Sequence, residues 1–192
     1  MNALLYLHGF NSSPGSYKAR QLLSHLAALA NPPECYVPGL PHRPAAAIEK
    51  LERILGALDP AATTLLGSSL GGYYATWLAE RFGCKAVLIN PAVRPYEDLA
   101  RYRGTNRNLY TGECYELTQS HIEELAALRV AAITRPERYW LLVQTGDEVL
   151  DYNEAVIFCR GAMQTVIAGG DHGFQGFESH LPSILRFAGC AS

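Results

Sequence analysis

The sequence of 192 residues lacks the features of secreted proteins, of membrane-embedded proteins and of proteins that bind a metal through cysteine. Its five cysteines are odd in number, scattered and without a C-x-x-C pair, which favours reduced thiols and no cysteine metal site. No apolar run reaches the roughly 20 residues that span a bilayer. The N-terminal stretch has no basic region and too short an apolar run for a signal peptide. These absences predict a cytoplasmic protein without a membrane partner.

Charge is also sparse in this chain. Charged residues make up 18% of the sequence and the formal net charge is −2, so no basic patch indicates a nucleic-acid partner. Apolar residues, at 48%, are as frequent as in ordinary globular proteins. No internal repeat or low-complexity linker divides the chain. We therefore expect a single globular domain over residues 1–192, large enough to bury its own core.

One pentapeptide stands out among the residues that are present. Residues 67–71 read GSSLG, a G-x-S-x-G sequence centred on Ser69. It follows a short apolar run at 63–66 and precedes a helical pattern that begins at about Leu70. Such a context is typical of a nucleophile elbow, in which the serine hydroxyl is exposed on a strained turn at the carboxyl end of a sheet. The alternative is an ordinary Gly-rich loop between a strand and a helix.

Short apolar runs alternate with helical periodicity along the chain, which predicts right-handed crossovers, a parallel sheet and an α/β fold. We predict strands at 3–7, 35–37, 63–66, 85–90, 138–144 and 164–167. We predict helices at 14–29, 45–58, from about 70, and at 118–128, 152–159 and 174–187. The first helix would have Ser13 as its N-cap and Pro14 as its first residue. Residues 94–135 interrupt the alternation and predict a small lid insertion rather than a plain long loop.

A serine nucleophile needs a base, and six histidines compete for that role. His172 lies in the sequence GGDHG, between the last predicted strand and the last predicted helix, and therefore at the same sheet edge as Ser69. A capping or turn histidine is the alternative for this position. The remaining histidines have surface, core or structural explanations: His8, His25, His42, His121 and His180.

The base in turn needs a carboxylate that orients it. Asp147 follows the apolar strand at 138–144 and lies in a turn at the same edge. Glu148 and Asp151 are its rivals, whereas Asp171 is a poor orienter because the side chains of neighbouring residues diverge. The chain order Ser69, Asp147, His172 is the one expected of α/β hydrolases.

An oxyanion hole requires two backbone donors. The N–H of Leu70, at the start of a helix, is one candidate. The loop after the first strand, His8-Gly9-Phe10, offers the N–H of Phe10 as the second. In this interpretation His8 holds the loop and is not a catalyst.

Motifs over nearly the whole length resemble the YqiA-like esterases, a small bacterial family of the α/β-hydrolase superfamily. They are YLHGFNSSP, LLGSSLGGYYATWLAE, INPAVRPYE, NLYTGECYEL with HIEEL, QTGDEVLDY and GGDHGF. The resemblance implies an α/β-hydrolase fold and esterase activity on small acyl esters or thioesters. We expect about six mostly parallel strands, with helices on both faces and a small lid.

The family's catalytic triad carries over as Ser69, Asp147 and His172, with Phe10 and Leu70 as oxyanion donors. The predicted mechanism needs no metal and no organic cofactor, and its partner is a small-molecule substrate. An acyl pocket could be walled by aromatic residues that are equally well explained as core: Phe10, Tyr73, Tyr74, Phe174 and the lid tyrosines. Other chemistry on this fold (a lyase, perhydrolase or peptidase) is an alternative, as is an idle binding protein, although a complete triad argues against the latter.

Overall fold

A parallel sheet of six strands forms the centre of the protein in the computed structural model, which describes residues 2–190. The strands of the described chain are β1 (Ala3–Leu7), β2 (Glu34–Tyr36), β3 (Thr63–Ser68), β4 (Lys85–Ile89), β5 (Gly104–Arg107), β6 (Cys114–Leu117), β7 (Tyr139–Gln144) and β8 (Met163–Ile167). The central sheet has the order β2-β1-β3-β4-β7-β8, and β5 pairs with β6 in a separate antiparallel hairpin. The predicted α/β-hydrolase fold with about six strands is confirmed.

Helices cover both faces of this sheet. They are α1 (Tyr17–Ala27), α2 (Pro44–Leu55), α3 (Leu70–Phe82), α4 (Pro95–Asp98), α5 (Gln119–Ala127), α6 (Tyr152–Phe158) and α7 (Leu181–Phe187). Apolar side chains of α1 and α7 pack with one face of the sheet. Those of α2, α3, α5 and α6 pack with the other face. No helix between residues 2 and 190 combines the length and the apolarity that a bilayer crossing requires.

The position of each strand in the sheet explains its residue pattern. All residues of β1, β3 and β7 are buried, as expected for continuous apolar runs covered on both faces. The two edge strands differ, because every residue of β2 and β8 is partly or substantially exposed. The carboxyl ends of β3, β7 and β8 therefore bring three loops to one rim of a well-packed sheet.

The first helix starts later than the sequence predicts. Its N-cap is Ser16, and the predicted cap, Ser13, instead accepts a hydrogen bond from the Gly15 N–H at 3.0 Å. The Ser16 N–H donates to the Ser13 carbonyl at 3.0 Å and closes a turn before the helix. A serine side chain that bonds to a neighbouring backbone N–H stabilises a turn as readily as a helix end.

The last predicted helix is shorter than its pattern indicates. Phe174 and Gly176 have φ angles of 61° and 73°, which interrupt a helix at this point. A 3₁₀ turn follows over Phe177–His180, and α7 begins at Leu181 with Pro182 in its first turn. The segment 94–135 contains the predicted helix as α5, and also α4 and the β5–β6 hairpin, which the sequence analysis does not predict.

Candidate active site

Ser69 occupies a sharp turn between β3 and α3. Its backbone has φ 55° and ψ −121°, a left-handed conformation that costs a non-glycine residue on the order of 1–3 kcal/mol. Surrounding backbone bonds hold it there: the Ser69 N–H donates to the Ile89 carbonyl at 3.1 Å, and the Ser69 carbonyl accepts from the Gly72 and Ala92 N–H groups at 2.9 and 3.1 Å. The turn exposes the hydroxyl at the rim of the sheet.

Two glycines allow the strand and the helix to cross at this turn. A Cβ atom on Gly67 would overlap the backbone of Gly71, and a Cβ on Gly71 would overlap the Leu7 carbonyl oxygen of the neighbouring strand. Both positions therefore exclude any side chain. This is the steric reason for the small residues predicted on each side of Ser69.

The structure brings Ser69, His172 and Asp147 into one hydrogen-bonded chain. His172 Nε2 lies 3.0 Å from Ser69 Oγ. His172 Nδ1 lies 3.0 and 2.8 Å from the two carboxylate oxygens of Asp147. An ionised carboxylate can only accept, so Nδ1 carries the proton and Nε2 presents its lone pair to the hydroxyl. In this tautomer the imidazole is ready to accept a proton from Ser69.

Asp147 is held in its ionised form by its surroundings. Its side chain is 2% exposed, and one carboxylate oxygen also accepts the N–H groups of Val149 and Leu150, each at 2.9 Å. Burial alone would raise the pKa of Asp147. The hydrogen bonds from His172 and from these two backbone groups outweigh burial and lower the pKa below its usual value.

The rival carboxylates have other partners. Glu148 accepts the backbone N–H of His172 at 3.0 Å, and it therefore holds the loop rather than the ring. Asp151 caps α6 by accepting the Asn153 N–H at 2.9 Å. Asp171 accepts from the Gln175 side chain at 2.8 Å.

The loop that carries His172 is anchored by Asn90, a residue that the sequence analysis does not single out. Asn90 directly follows β4, has φ 39° and is buried. Its side-chain amide donates to the carbonyls of Asp171 and His172 at 2.9 and 3.2 Å, and its Oδ1 accepts the Gln144 N–H at 3.0 Å. One side chain thus connects three strands at the rim to the backbone of the candidate base.

Gln144, at the end of β7, is a second buried anchor. Its Oε1 accepts the N–H groups of Asp171 and Gln175 at 3.1 and 2.9 Å, and its Nε2 donates to the Gln175 carbonyl at 2.8 Å. A polar residue where an apolar strand ends was the available signal for both anchors. Their bonding partners lie far away in the sequence, so the signal alone does not identify them.

The loop after β1 lies against Ser69, as predicted. A Cβ atom on Gly9 would be 3.1 Å from Ser69 Cβ, which shows how closely the two backbones approach. Leu70 is the first residue of α3, where helix N–H groups have no intrahelical partner. The two predicted oxyanion donors, Phe10 and Leu70, therefore flank the serine.

His8 has the structural role predicted for it. The Leu40 N–H donates to its Nε2 at 3.0 Å, so Nδ1 carries the proton and donates to the Gly9 carbonyl at 3.0 Å. Burial lowers the pKa of His8 and keeps the ring neutral. The ring thus fixes the turn that carries Phe10.

The β5–β6 hairpin is bonded to the same loop. The Tyr115 hydroxyl donates to Asn11 Oδ1 at 2.7 Å, and the Asn108 side chain donates to the Ser12 carbonyl at 2.8 Å. Asn11 itself has φ 50°. The inserted segment therefore covers the loop that carries one predicted oxyanion donor.

Two further histidines connect the inserted segment to the rest of the fold. His121 Nδ1 accepts from the Thr118 N–H at 3.2 Å in a capping box, and His121 Nε2 lies 3.2 Å from His42 Nδ1. His42 stacks on Tyr115 with ring centroids 4.3 Å apart. Neither ring contacts the triad. Over residues 2–190, no group of three or more His, Cys, Asp or Glu side chains could hold a metal ion.

Two chambers meet at Ser69 and His172. One, which we call the apolar chamber, has a volume of about 330 Å³ and is lined mainly by apolar side chains, among them Leu70, Ala92, Pro95, Leu99, Leu109 and Leu150. The other, which we call the polar chamber, has a volume of about 280 Å³, and its wall includes hydroxyl groups and one lysine: Tyr6, Ser12, Ser16, Tyr17, Lys18 and Tyr110.

The aromatic residues considered for an acyl pocket divide between wall and core. Phe10 lines both chambers, and Tyr102 and Tyr110 of the inserted segment each line one. Three others are buried core residues: Tyr73, Tyr74 and Phe174. The wall of the apolar chamber is therefore mostly aliphatic.

Several solved structures are similar to this chain at low sequence identity. Est1E from Butyrivibrio proteoclasticus, with ferulic acid bound, has a TM-score of 0.70 at 13% identity, covering 97% of this chain and 88% of Est1E. Mouse alpha/beta hydrolase domain-containing protein 10 has a TM-score of 0.69 at 16% identity, covering 96% and 88%. The esterase domain of a Rhodothermus marinus protein has a TM-score of 0.68 at 18% identity, covering 97% and 86%.

At these identities the structural likeness establishes the fold alone. The family is established by the sequence. The family model described as uncharacterised protein family UPF0227 matches residues 3–189, which is nearly the whole chain. The chain therefore belongs to the UPF0227 family, the YqiA family that its motifs resemble.

Proposed function

We propose that this protein is a serine esterase that hydrolyses small acyl esters or acyl thioesters through an acyl-enzyme. One observation carries the proposal: His172 Nε2 is within 3.0 Å of Ser69 Oγ, while Asp147 holds the opposite ring nitrogen at 2.8 Å. A nucleophile, its base and an orienting carboxylate at these distances are the arrangement used in acyl transfer. The fold shared with the esterase domain of a Rhodothermus marinus protein is consistent with it.

In the first half of the reaction, Ser69 Oγ forms a bond to the acyl carbonyl carbon and His172 Nε2 takes the hydroxyl proton. The electron pair of the carbonyl moves to its oxygen, where the N–H groups of Phe10 and Leu70 stabilise the negative charge. Collapse of this intermediate breaks the bond to the leaving oxygen or sulfur, which receives the proton from His172. Asp147 stabilises the imidazolium while it exists.

In the second half, water replaces the leaving group. His172 takes a proton from the water as its oxygen bonds to the acyl carbon, and returns that proton to Ser69 Oγ when the acyl–serine bond breaks. A carboxylic acid is released and the enzyme is restored. Each half-reaction is stabilised by the same two backbone donors, and one such donor contributes on the order of 3–4 kcal/mol in other enzymes.

The apolar chamber suits the acyl part of the substrate. Its volume of about 330 Å³ lies at the lower end of the range for small-molecule sites, about 300–1,000 Å³. Leu70 and Leu150 lie in its wall beside Ser69. We therefore expect short to medium acyl chains to be preferred, and activity on a p-nitrophenyl ester series to fall once the chain outgrows this space.

The first experiment compares Ser69→Ala and His172→Ala with the parent on p-nitrophenyl butyrate. We expect each variant to lose at least about 10³-fold in kcat, because the nucleophile or its base is missing. Ser24→Ala and His25→Ala, on the outer part of α1, are matched controls that should keep parental rates. Folded Ser69→Ala and His172→Ala proteins with parental activity would refute the proposal.

A second experiment separates this function from its alternatives. A fluorophosphonate should label the parent at Ser69 and fail to label Ser69→Ala. Turnover is then measured on matched ester, thioester and peptide substrates. Labelling without turnover of esters or thioesters would favour another chemistry on this fold, and absence of labelling would favour a binding protein.

A further inference from the structure

The N-terminal end of α1 lies in the wall of the polar chamber and carries a buried hydroxyl that no neighbour satisfies with full hydrogen-bond geometry. Ser16, the N-cap residue, is 7% exposed and lines the chamber. Its side chain makes no capping bond, and although the buried Tyr6 hydroxyl lies beside Oγ, no group within residues 2–190 meets full hydrogen-bond geometry with it. A buried hydroxyl without a partner is costly, so such groups in native proteins call for an explanation such as a ligand.

Lys18 brings a positive charge to the same place. Its ammonium donates to the Gly173 carbonyl, next to His172, at 2.8 Å, which is its one hydrogen bond within the described chain. An ammonium has three donors, so two are left for other partners. Burial lowers the pKa of Lys18 to about 8, against the attraction of Asp171 and Asp147. A lysine that is so poorly solvated gains strongly from an added anion.

The position of these groups relative to Ser69 gives them a role in substrate choice. Both Ser16 and Lys18 line the chamber that also contains Ser69, His172 and Gly173. Apart from His172, Lys18 is the only ionisable cation among the described residues of that wall, and the wall has no carboxylate. The chamber is therefore unsuited to an acyl chain and suited to a negatively charged group.

We propose that Ser16, Tyr17 and Lys18 form a subsite, here called the α1 subsite, that binds an anionic group, phosphate or carboxylate, on the alcohol part of the ester. This inference rests on the proposed esterase function. The first turn of a helix offers unpaired N–H groups and a positive dipole end, which favour anions. A lysine and a serine hydroxyl add charge-assisted and neutral hydrogen bonds to the same group.

The assignment to the alcohol part follows from how an ester lies across Ser69. Its acyl chain occupies the apolar chamber, so the leaving group extends into the other one. His172, which protonates the leaving oxygen in the proposed mechanism, lies where the two chambers meet, and its neighbour Gly173 lines only the polar one. The negative charge would then lie on the fragment that departs first.

The test uses esters that share one acyl group and differ in the charge of the alcohol. We compare 1-butyrylglycerol 3-phosphate with 1-butyrylglycerol, and O-butyrylglycolate with its uncharged glycolamide counterpart. We expect kcat/KM to be about tenfold or more higher for the charged member of at least one pair, as one charge-assisted hydrogen bond allows. The pair that responds identifies the anion, and the preference should shrink as ionic strength rises.

The variants are judged by the ratio of kcat/KM for charged and neutral esters. Lys18→Met should bring this ratio close to one, Lys18→Arg should retain most of it, and Ser16→Ala should lower it several-fold. Loss of the bond to Gly173 alone would lower both rates and leave the ratio unchanged. Lys85→Met is the matched control, because Lys85 also donates to a backbone carbonyl, that of Phe187 at 2.9 Å, at the opposite end of the sheet.

Three results would overturn the α1 subsite. The first is a kcat/KM ratio of charged to neutral ester near one for both pairs in the parent, and the second is a preference for the charged ester that is retained in Lys18→Met. The third is a preference for charge on the acyl part, measured with ethyl hemisuccinate against ethyl butyrate. Each leaves the esterase function intact if Ser69-dependent hydrolysis of the neutral ester persists. If that hydrolysis is absent, calorimetric titration of glycerol 3-phosphate still decides the subsite. Binding should weaken about tenfold in Lys18→Met and stay parental in Lys85→Met.

Discussion

Replacement of Asn90 tests how the loop of His172 is held. Asn90→Ala leaves the buried Gln144 N–H without an acceptor, which lowers the unfolding free energy by about 1–3 kcal/mol. Placing a residue other than Asn or Gly at φ 39° adds about 1–2 kcal/mol. Two part-buried carbonyls, those of Asp171 and His172, each lose a bond worth about 0.5–1.5 kcal/mol. Because the freed carbonyls can bind water, we expect the unfolding free energy to fall by about 2–5 kcal/mol in urea titrations.

Asn90→Asp is the sharper change, because it keeps the shape, the tolerance for a left-handed backbone and the acceptor for Gln144. Only the donor changes: a carboxylate oxygen then faces the carbonyls of Asp171 and His172. Repulsion should displace the loop and with it the imidazole. A shift of about 1 Å at a reacting group costs on the order of 10²-fold, so we expect that loss in kcat with little change in KM.

A pH profile separates this positioning role from general damage. When the introduced carboxyl group is protonated, it can again donate to a carbonyl, so the activity of Asn90→Asp relative to the parent should recover as the pH falls. Asn31→Asp, on an exposed loop, controls for the added charge. Parental kcat in a folded Asn90→Asp protein would refute the reasoning that this side chain positions His172.

Three further predictions follow from the same rim. Gly71→Ala should lose more than about 3 kcal/mol in urea unfolding because its Cβ overlaps the Leu7 carbonyl, whereas Gly39→Ala, with only ordinary contacts, should not. Asp147→Asn should lower kcat by about 10³- to 10⁴-fold on p-nitrophenyl butyrate, since an amide that donates to Nδ1 imposes the wrong tautomer. The pKa of Lys18 is about 8 when folded and about 10.4 when unfolded, so this residue contributes a gain in stability as pH rises through this window, opposite in sign to the contribution of the buried cysteines, whose pKa values burial raises; the gain is read as the difference between parent and Lys18→Met in urea titrations. Lys18→Met should lack that gain.

The central sheet was predictable because each buried strand is a continuous apolar run with its own turn signals. The strands from β1 to β8 in the parallel sheet were all predicted to within about two residues, which is the usual uncertainty of element ends. The contact between Ser69, Asp147 and His172 was predictable for the same reason, since three loops that follow parallel strands must meet at one edge. The catalytic roles of these residues stay predictions.

Other features depend on partners that are distant in the sequence. The start of α1 was wrong because Ser13 bonds to Gly15, and a local pattern does not decide between a turn and a cap. The hairpin of β5 and β6 is short and polar, and it is bonded to Asn11 and Ser12 about one hundred residues away. Asn90 follows β4 and Gln144 ends β7, and only the folded chain brings them under the loop of His172.

The candidate base follows an edge strand, which has fewer neighbours than the other strands of the site. The candidate nucleophile follows β3, which has neighbours on both sides, whereas His172 follows β8, which within residues 2–190 pairs with β7 alone and leaves Met163 and Val166 about half exposed. Opening of a protein by mild denaturant begins at such margins and spares the interior strands. We therefore expect esterase activity to be lost at a lower denaturant concentration than the helical signal in circular dichroism. In that range His172 would be displaced while Ser69 still kept its native position.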